Sequence, residues 1–277
     1  MNTSYQGKVC VITGASTGIG FGLSKKLLEL GATVWMCSRT PENVEAAGEQ
    51  LKGYGSRVHS EVIDVRSAEQ VTDYLNRIAA EGPIDYLFNN AGVAQKGIFA
   101  DVTPQIWEDV MSANFYGVVH GVTAAIPIML KQGYGNIINT ASVCGIAPLP
   151  YQTVYCASKY AVVGFSEALR YEYADNNIRV WVVCPAAVDT MIFKRDQNYM
   201  IHEEFQAPPE AISIEDAAIE ILEGMETYTG ILPIVDFARL MYESIGKDPK
   251  MVDDAMLAIK KSSEESFDEL KTRGIAI

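Results

Sequence analysis

Short runs of apolar and β-branched residues alternate along the chain with longer amphipathic stretches. The runs KVCVIT (8–13), ATVWMCS (32–38), RVHSEVI (57–63), IDYLFN (84–89), GNIINTA (135–141), IRVWVVC (178–184) and GILPIV (230–235) read as strands. Between them, segments at about 18–30, 41–52, 67–80, 104–131, 152–175 and 214–227 carry helical spacing of apolar residues. Several runs are apolar on both faces, which suits strands covered by helices on either side. The alternation predicts an α/β fold with a doubly wound parallel sheet, whose ligands gather beyond the carboxyl ends of the strands. Past the last run, VDFARLMYESIG and MVDDAMLAIKKSSEESFDELKTR read as two further helices, the second with a solvated face. Ser213 with Asp216 resembles a capping box at the start of the helix over 214–227.

Composition narrows the class. With 277 residues, 48% of them hydrophobic and 21% charged, the chain can bury a large core, and it reads as one domain over 1–277. A net charge of −13 argues against nucleic acid or an anionic membrane as partner. The N-terminus lacks an apolar leader, and no run of roughly 18 apolar residues predicts a membrane span, so the expected location is cytoplasmic. Five cysteines (Cys10, Cys37, Cys144, Cys156, Cys184) without CxxC spacing read as reduced, mostly buried thiols. Three scattered histidines give no metal site.

The loops after the strands hold the candidate chemistry. KVCVIT runs into GASTGIG (14–20) and then a helix, so Gly14, Gly18 and Gly20 let the backbone approach a pyrophosphate at a helix N-terminus. The spacing is GxxxGxG, which departs from the usual GxGxxG. At the end of the second strand, where an NAD site carries a carboxylate for the ribose hydroxyls, stand Ser38 and Arg39. Arginine's fork of donors fits the 2′-phosphate of NADP. Asp64 in IDVRS is either an acceptor for the adenine amino group or a neighbour of a helix N-cap. NNAG (89–92) follows the fourth strand, and by itself it is only a turn signal. In VYCASKYAVVGF (154–165), Tyr155 and Lys159 fall one helical turn apart, on one face.

TGASTGIG (13–20), NNAG (89–92), Asn114 in SANFYG, Ser142 in INTASV and the Tyr155/Lys159 pair in YCASK together resemble the motif set of the short-chain dehydrogenase/reductases, over about residues 6–235. The resemblance implies a Rossmann-type fold of seven parallel strands and a catalytic tetrad of Asn114, Ser142, Tyr155 and Lys159. It also implies a nicotinamide cofactor; with Ser38 and Arg39 in place of a carboxylate, NADP(H) is preferred and NAD(H) possible. The cofactor contacts expected from the motifs are Gly14, Ser16, Thr17, Gly18, Ile19, Gly20, Ser38, Arg39, Asp64, Val65, Asn90, Ala91, Gly92, Tyr155, Lys159, Pro185, Val188 and Thr190. A homo-oligomer, dimer or tetramer, is a further expectation. After the sixth strand the chain reads PAAVDT (185–190), with Ala186 where the family usually has glycine. In this scheme Tyr155 exchanges the proton, Ser142 bonds the substrate oxygen, Lys159 holds the nicotinamide ribose, and Asn114 anchors a water. A lysine cation about 6 Å from the phenol, at an effective dielectric near 20, favours the phenolate by about 3 kcal/mol, which predicts a phenol pKa lowered by about two.

The substrate is read from the segment over about 186–212, where Met191, Ile192, Phe193, Tyr199, Met200, Ile201 and Phe205 suggest a lid, and from a helical extension over about 236–277. An extension of this kind resembles members acting on bulky lipophilic alcohols and ketones such as hydroxysteroids. The expected activity is interconversion of such a ketone and its secondary alcohol. Two alternatives stand beside it. One is a 3-oxoacyl reductase, disfavoured by the acidic surface and the long tail; the other is a catalytically silent dinucleotide sensor, disfavoured by the intact tetrad.

Overall fold

The computed structural model describes residues 4–194, 206–227 and 230–272. All seven predicted runs form strands: β1 Val9–Thr13, β2 Thr33–Ser38, β3 Val58–Val62, β4 Tyr86–Asn89, β5 Gly135–Thr140, β6 Ile178–Pro185 and β7 Gly230–Ile234. They make one parallel sheet in the order β3-β2-β1-β4-β5-β6-β7, so the winding reverses between β1 and β4. A ligand crevice opens at the carboxyl end of such a reversal. β1 shows why two-sided apolar runs were needed. Cys10 and Ile12 enter one core and Val11 the other, all fully buried. The edges differ in kind: β3 is half exposed, and β7 carries Pro233, which a strand tolerates at a sheet edge.

The helices are α1 Gly18–Glu29, α2 Pro41–Leu51, α3 Ala68–Glu81, α4 Pro104–Met111, α5 Gly117–Gln132, α6 Thr153–Glu172, α7 Ile214–Thr227, α8 Asp236–Ser244 and α9 Pro249–Thr272. Leu23 and Leu27 of α1, Ala47 of α2 and Ile221 of α7 fill the core on one face of the sheet. Val71 and Leu75 of α3, Val122 and Met129 of α5 and Val162 of α6 fill the other. Of the predicted box at the start of α7 the serine half is present, with Asp216 N–H donating to Ser213 Oγ at 3.0 Å, while the return bond runs from the serine hydroxyl to the Asp216 carboxylate at 2.7 Å instead of from the Ser213 N–H.

The helix expected over 104–131 is two helices joined by one wide π-turn, Ser112–Tyr116. The buried Asn114 at its centre turns its amide out of the helical ladder to bond Val93 and Ser158, and a side chain anchored in this way stabilises the widened turn. The stretch Pro104–Gln132 is by length and composition apolar enough to cross a bilayer, a test that a buried core helix also passes. More than half of its apolar window is buried in the fold, with Val118, Val122 and Met129 packed against the sheet.

α8 and α9 fold back over the carboxyl end of the sheet. Ala238 and Met241 of α8 join Val143, Cys144, Ala147, Tyr155 and Cys156 in a separate buried cluster, with Phe237, Met251, Ala255 and Met256 against it. Tyr151 fastens α9. Its backbone sits at φ +63, its hydroxyl donates to Glu264 at 2.6 Å, and its ring meets Phe267 edge-on at 4.9 Å. Of the residues expected in a lid, Met191, Ile192 and Phe193 form a short 3₁₀ turn, and Tyr199, Met200, Ile201 and Phe205 lie outside the described residues.

Phe267 is 3% exposed, so Phe267→Ala removes about 3 kcal/mol of packing from the α9 contact. Amide exchange over 249–272 is expected to accelerate by roughly 100-fold while β1, β4 and β5 keep their protection. Unchanged exchange in α9 would show that this ring does not hold the helix.

Candidate active site

The glycine turn, the NNAG loop and the segment after β6 meet at the carboxyl ends of β1 and β4. Gly14 and Gly18 have φ of +63 and +57, conformations that favour glycine. A Cβ on Gly14 would lie 2.6 Å from Ala91 Cα, one on Gly20 2.5 Å from Asn90 Nδ2, and one on Gly18 3.2 Å from Thr190 Cγ2. Thr13 locks the two loops together, because its Oγ1 accepts from Asn90 N–H at 3.0 Å and Ala91 N–H at 3.1 Å. Asn90 Nδ2 donates back to the carbonyls of Thr13 and Gly14 at 3.2 and 3.3 Å. Asn90 and Ala91 therefore shape the turn by clamping it. Asn89, one position earlier, is a core residue that donates to Asn139 at 2.8 Å.

The amino end of α1 fits a pyrophosphate. Thr17 stands at the N-cap without a side-chain capping bond, and the first turn holds no acidic residue, so the free N–H groups and the helix dipole face outward together. Ser16 and Ile19 flank this end half-buried, Ile19 against the core. At the adenosine side, Arg39 is exposed at the end of β2 beside Ser38, whose carbonyl accepts from Ile63 N–H at 3.0 Å. Asp64 accepts from Arg66 through the backbone N–H and Nε, both at 3.0 Å, and through Nη2. Burial acts to raise its carboxyl, but Arg66, with Arg39 nearby, holds it below the usual carboxylate range. The Arg66 clamp had no signal in the sequence beyond adjacency. Val65 is buried against α5, its carbonyl hydrogen-bonded to His120 at 2.9 Å.

The wall beyond β6 is pinned. Val188 pairs with Ile212, Asp189 N–H donates to Ile212 O at 2.9 Å, and Ala186 N–H donates to Ile234 O at 3.2 Å. Ala186 has no positive φ, which is why alanine serves where the related motif has glycine. Pro185 O accepts from Ser142 Oγ at 3.4 Å, so the strand end also sets the serine.

Asn114, Ser142, Tyr155 and Lys159 converge. All four are buried: Asn114 is 0% exposed, Ser142 8%, Tyr155 9% and Lys159 3%. The π-turn positions Asn114, whose Oδ1 accepts from Val93 N–H at 2.7 Å and whose Nδ2 donates to Val93 O at 2.9 Å. A Cβ on Gly92 would lie 3.1 Å from Asn114 Oδ1 and 3.4 Å from Lys159 Nζ. α6 presents Tyr155 and Lys159 together, the ammonium 5.5 Å from the phenol ring centroid, and Lys159 Nζ donates to Thr140 O at the end of β5 at 3.0 Å. Two of the three ammonium donors thus remain for a diol such as a ribose. Among the described residues no carboxylate lies in ion-pair range of Lys159.

The electrostatics overturn the expectation of a lowered phenol pKa. Burial, and then the neighbouring Cys144, push Tyr155 well above the usual tyrosine range, while the hydrogen bond from Ser142 pulls it down. Residues of α8 and α9, distant in the chain, supply the apolar cover around Tyr155. Burial likewise lowers Lys159 from 10.5 to about 8. All five cysteines are free and buried, as expected, and the described residues hold no cluster of groups able to bind a metal.

The family model for short chain dehydrogenases matches residues 8–199. Among curated proteins the chain is 34% identical over 186 residues, 67% of its length, to the 3-oxoacyl-[acyl-carrier-protein] reductase FabG of Thermotoga maritima, covering 76% of that protein. It is 36% identical over 186 residues to the 3alpha-hydroxysteroid dehydrogenase of Mediterraneibacter gnavus, with 66% of the chain and 74% of that enzyme covered. A short chain dehydrogenase from Burkholderia cenocepacia, solved in complex with NADP, superposes with a TM-score of 0.78 at 27% identity, over 92% of this chain and 99% of that one.

Lys159→Met tests the cost of the buried cation. Because the folded pKa lies below the unfolded 10.5, the penalty is complete below about pH 8 and disappears as pH rises toward 10.5. The cofactor-free variant is expected to be more stable than wild type at pH 7, by on the order of 3 kcal/mol, with the gap closing between pH 8 and 10.5. A gap independent of pH in denaturant titrations would refute a charged buried lysine.

Proposed function

The chain belongs to the short chain dehydrogenase family, oxidoreductases that interconvert alcohols and ketones with a nicotinamide cofactor, and on that premise we propose that it is an NADP(H)-dependent reductase and dehydrogenase of bulky apolar ketones and secondary alcohols. The observation that carries the substrate class is the cover over Tyr155. Met241 of α8 is fully buried in the apolar cluster that holds Tyr155, and Phe237, Met251 and Met256 pack against that cluster. Methionine packs adaptably and thereby suits a large, rigid hydrophobic body. Hydroxysteroid-like ketones are the preferred class, in keeping with the resemblance to the Mediterraneibacter gnavus enzyme. The resemblance to the Thermotoga maritima reductase supports a second reading, a 3-oxoacyl thioester substrate.

Bound nicotinamide supplies or accepts the hydride; the protein supplies position and the proton. Tyr155 is held as a neutral phenol by burial, the state required of a proton donor in ketone reduction. Ser142 bonds the phenol and stabilises charge on the substrate oxygen. Lys159 binds the ribose with the donors that Thr140 leaves free, and Asn114 holds the Gly92–Val93 backbone beside it. The apolar cover excludes water, which strengthens these contacts. Arg39, exposed and beside a carboxylate already engaged by Arg66, meets the 2′-phosphate. The remaining assignments, a homo-oligomer and a cytoplasmic location, belong to the same proposal.

With NADPH, a panel of bicyclic and steroidal ketones plus a 3-oxoacyl thioester is expected to show turnover on the bulky ketones. Tyr155→Phe should lower it roughly 10²–10⁴-fold with cofactor affinity preserved. Near-normal turnover by this variant would remove Tyr155 from the mechanism, and turnover of the thioester alone would favour the second reading.

Arg39→Asp addresses the cofactor. A charge-assisted contact worth about 1.5–3 kcal/mol gives wild type a roughly 10- to 150-fold preference for NADPH in kcat/KM. The aspartate, repelling the phosphate and accepting from ribose hydroxyls, should reverse it. An unchanged ratio would mean that Arg39 does not contact the cofactor.

A further inference from the structure

Two of the five thiols stand apart from the rest. Cys10, Cys37 and Cys184 sit in β1, β2 and β6, inside the two cores that cover the sheet, and none is more than 1% exposed. Cys144 and Cys156 instead share the third apolar cluster with Tyr155. Cys144 belongs to the 3₁₀ turn Val143–Gly145 after β5, and Cys156 follows Tyr155 in the first turn of α6. The turn lies directly on that helix, since a Cβ on Gly145 would fall 2.7 Å from Lys159 O. Gln152 spans the pair: its carbonyl accepts from Cys156 N–H at 2.7 Å, and its Oε1 lies 3.8 Å from Cys144 Sγ. The two thiols hydrogen-bond each other, Cys144 donating. That bond pulls the Cys156 thiol below its ordinary value against the effect of burial, and pushes Cys144 up. Cys156 is also the more exposed of the two, at 7% against 3%. An accessible thiol with thiolate character and a second thiol behind it is the arrangement that oxidants attack selectively. Each sulfur is coupled to a residue of the tetrad. Cys144 N–H donates to Ser142 Oγ at 3.2 Å, and Cys156 is bonded in sequence to Tyr155.

We propose that Cys144 and Cys156 are a redox modification site, a dithiol that a peroxide closes reversibly to a disulfide, and that closing it turns off the Tyr155 site. The switch rests on the reading of Tyr155 as the catalytic group; the disulfide does not. With hydrogen peroxide as oxidant, the Cys156 thiolate attacks one oxygen, the O–O bond breaks and hydroxide leaves, giving a sulfenic acid. The Cys144 sulfur then attacks Cys156 Sγ and displaces its hydroxyl as water, with the thiol protons taken up by the departing oxygens. Two thiols and one peroxide become one disulfide and two waters. The sulfurs lose two electrons and the peroxide gains them. A disulfide holds its sulfurs about 2 Å apart, closer than any hydrogen bond between thiols. The turn after β5 and the first turn of α6 are therefore drawn together, and Ser142 and Tyr155 move with them. A displacement of about 1 Å costs roughly 100-fold in rate.

The test treats the full chain with hydrogen peroxide in the absence of reductant. Free thiols counted after unfolding should fall by two, and a peptide map should join Cys144 to Cys156. Ketone turnover with NADPH should fall roughly 100-fold and return with dithiothreitol. Cys144→Ala and Cys156→Ala, given the same treatment, should each keep the turnover they start with. No link, or a link through Cys10, Cys37 or Cys184, overturns the assignment. A link that leaves turnover intact overturns the switch. Loss of turnover that dithiothreitol does not reverse, or that persists in both variants, overturns it too, since it marks oxidation elsewhere, such as at the methionines of the cover. If untreated protein turns over no ketone, the reading of the site fails and the switch with it, while the thiol count and peptide map still decide the disulfide.

Discussion

The buried ammonium of Lys159 is the constraint on which the site is organised. A cation at 3% exposure with no carboxylate beside it is costly, and its folded pKa near 8 records that cost. It stays in place because α6 runs beneath the ends of β5 and β6 and directs it at Thr140 O. Everything around it serves the same geometry. The π-turn brings Asn114 to the Gly92–Val93 backbone, and the end of β6 holds Ser142 through Pro185 O. An unpaired charge of this kind is a store of binding energy, released when a diol takes the two idle donors.

The glycine turn works by the opposite means, through close approach instead of charge. Its backbone and that of Asn90–Ala91 are too near for a Cβ, and Thr13 ties them with one hydroxyl. The result is a rigid floor with the uncapped end of α1 above it. In the binding mode proposed above, the two halves of the cofactor would meet different physics: fixed dipoles at the pyrophosphate, a desolvated cation at the ribose.

The apolar cover from α8 and α9 links substrate to proton chemistry. On the proposed reading, the same cluster that would give a hydrophobic body its surface also buries Tyr155 and raises its phenol pKa. In that reading, substrate fit and the phenol's proton affinity are coupled, because loosening the cover would both open the site and hydrate the phenol.

The order of strands and helices, the family, and the positions of the four site residues were legible in the sequence, because they depend on local pattern. A two-sided apolar run can satisfy its faces only inside a layered sheet, a GxxxGxG turn after a strand has few uses, and a tyrosine four residues before a lysine shares its face of a helix. What depends on residues far apart in the chain was not legible. Nothing near Asn114 announces a π-turn, since its cause is Val93, across a loop. The phenol's pKa had the wrong sign in the sequence reading, since Met241 and Ala238 cover Tyr155 from more than eighty residues away. Arg66 on Asp64 and the pairing of Cys144 with Cys156 likewise became visible only with the fold. Local periodicity fixes which groups exist and which face they occupy; burial, and with it every charge state in the site, is set by whichever distant segment packs on top.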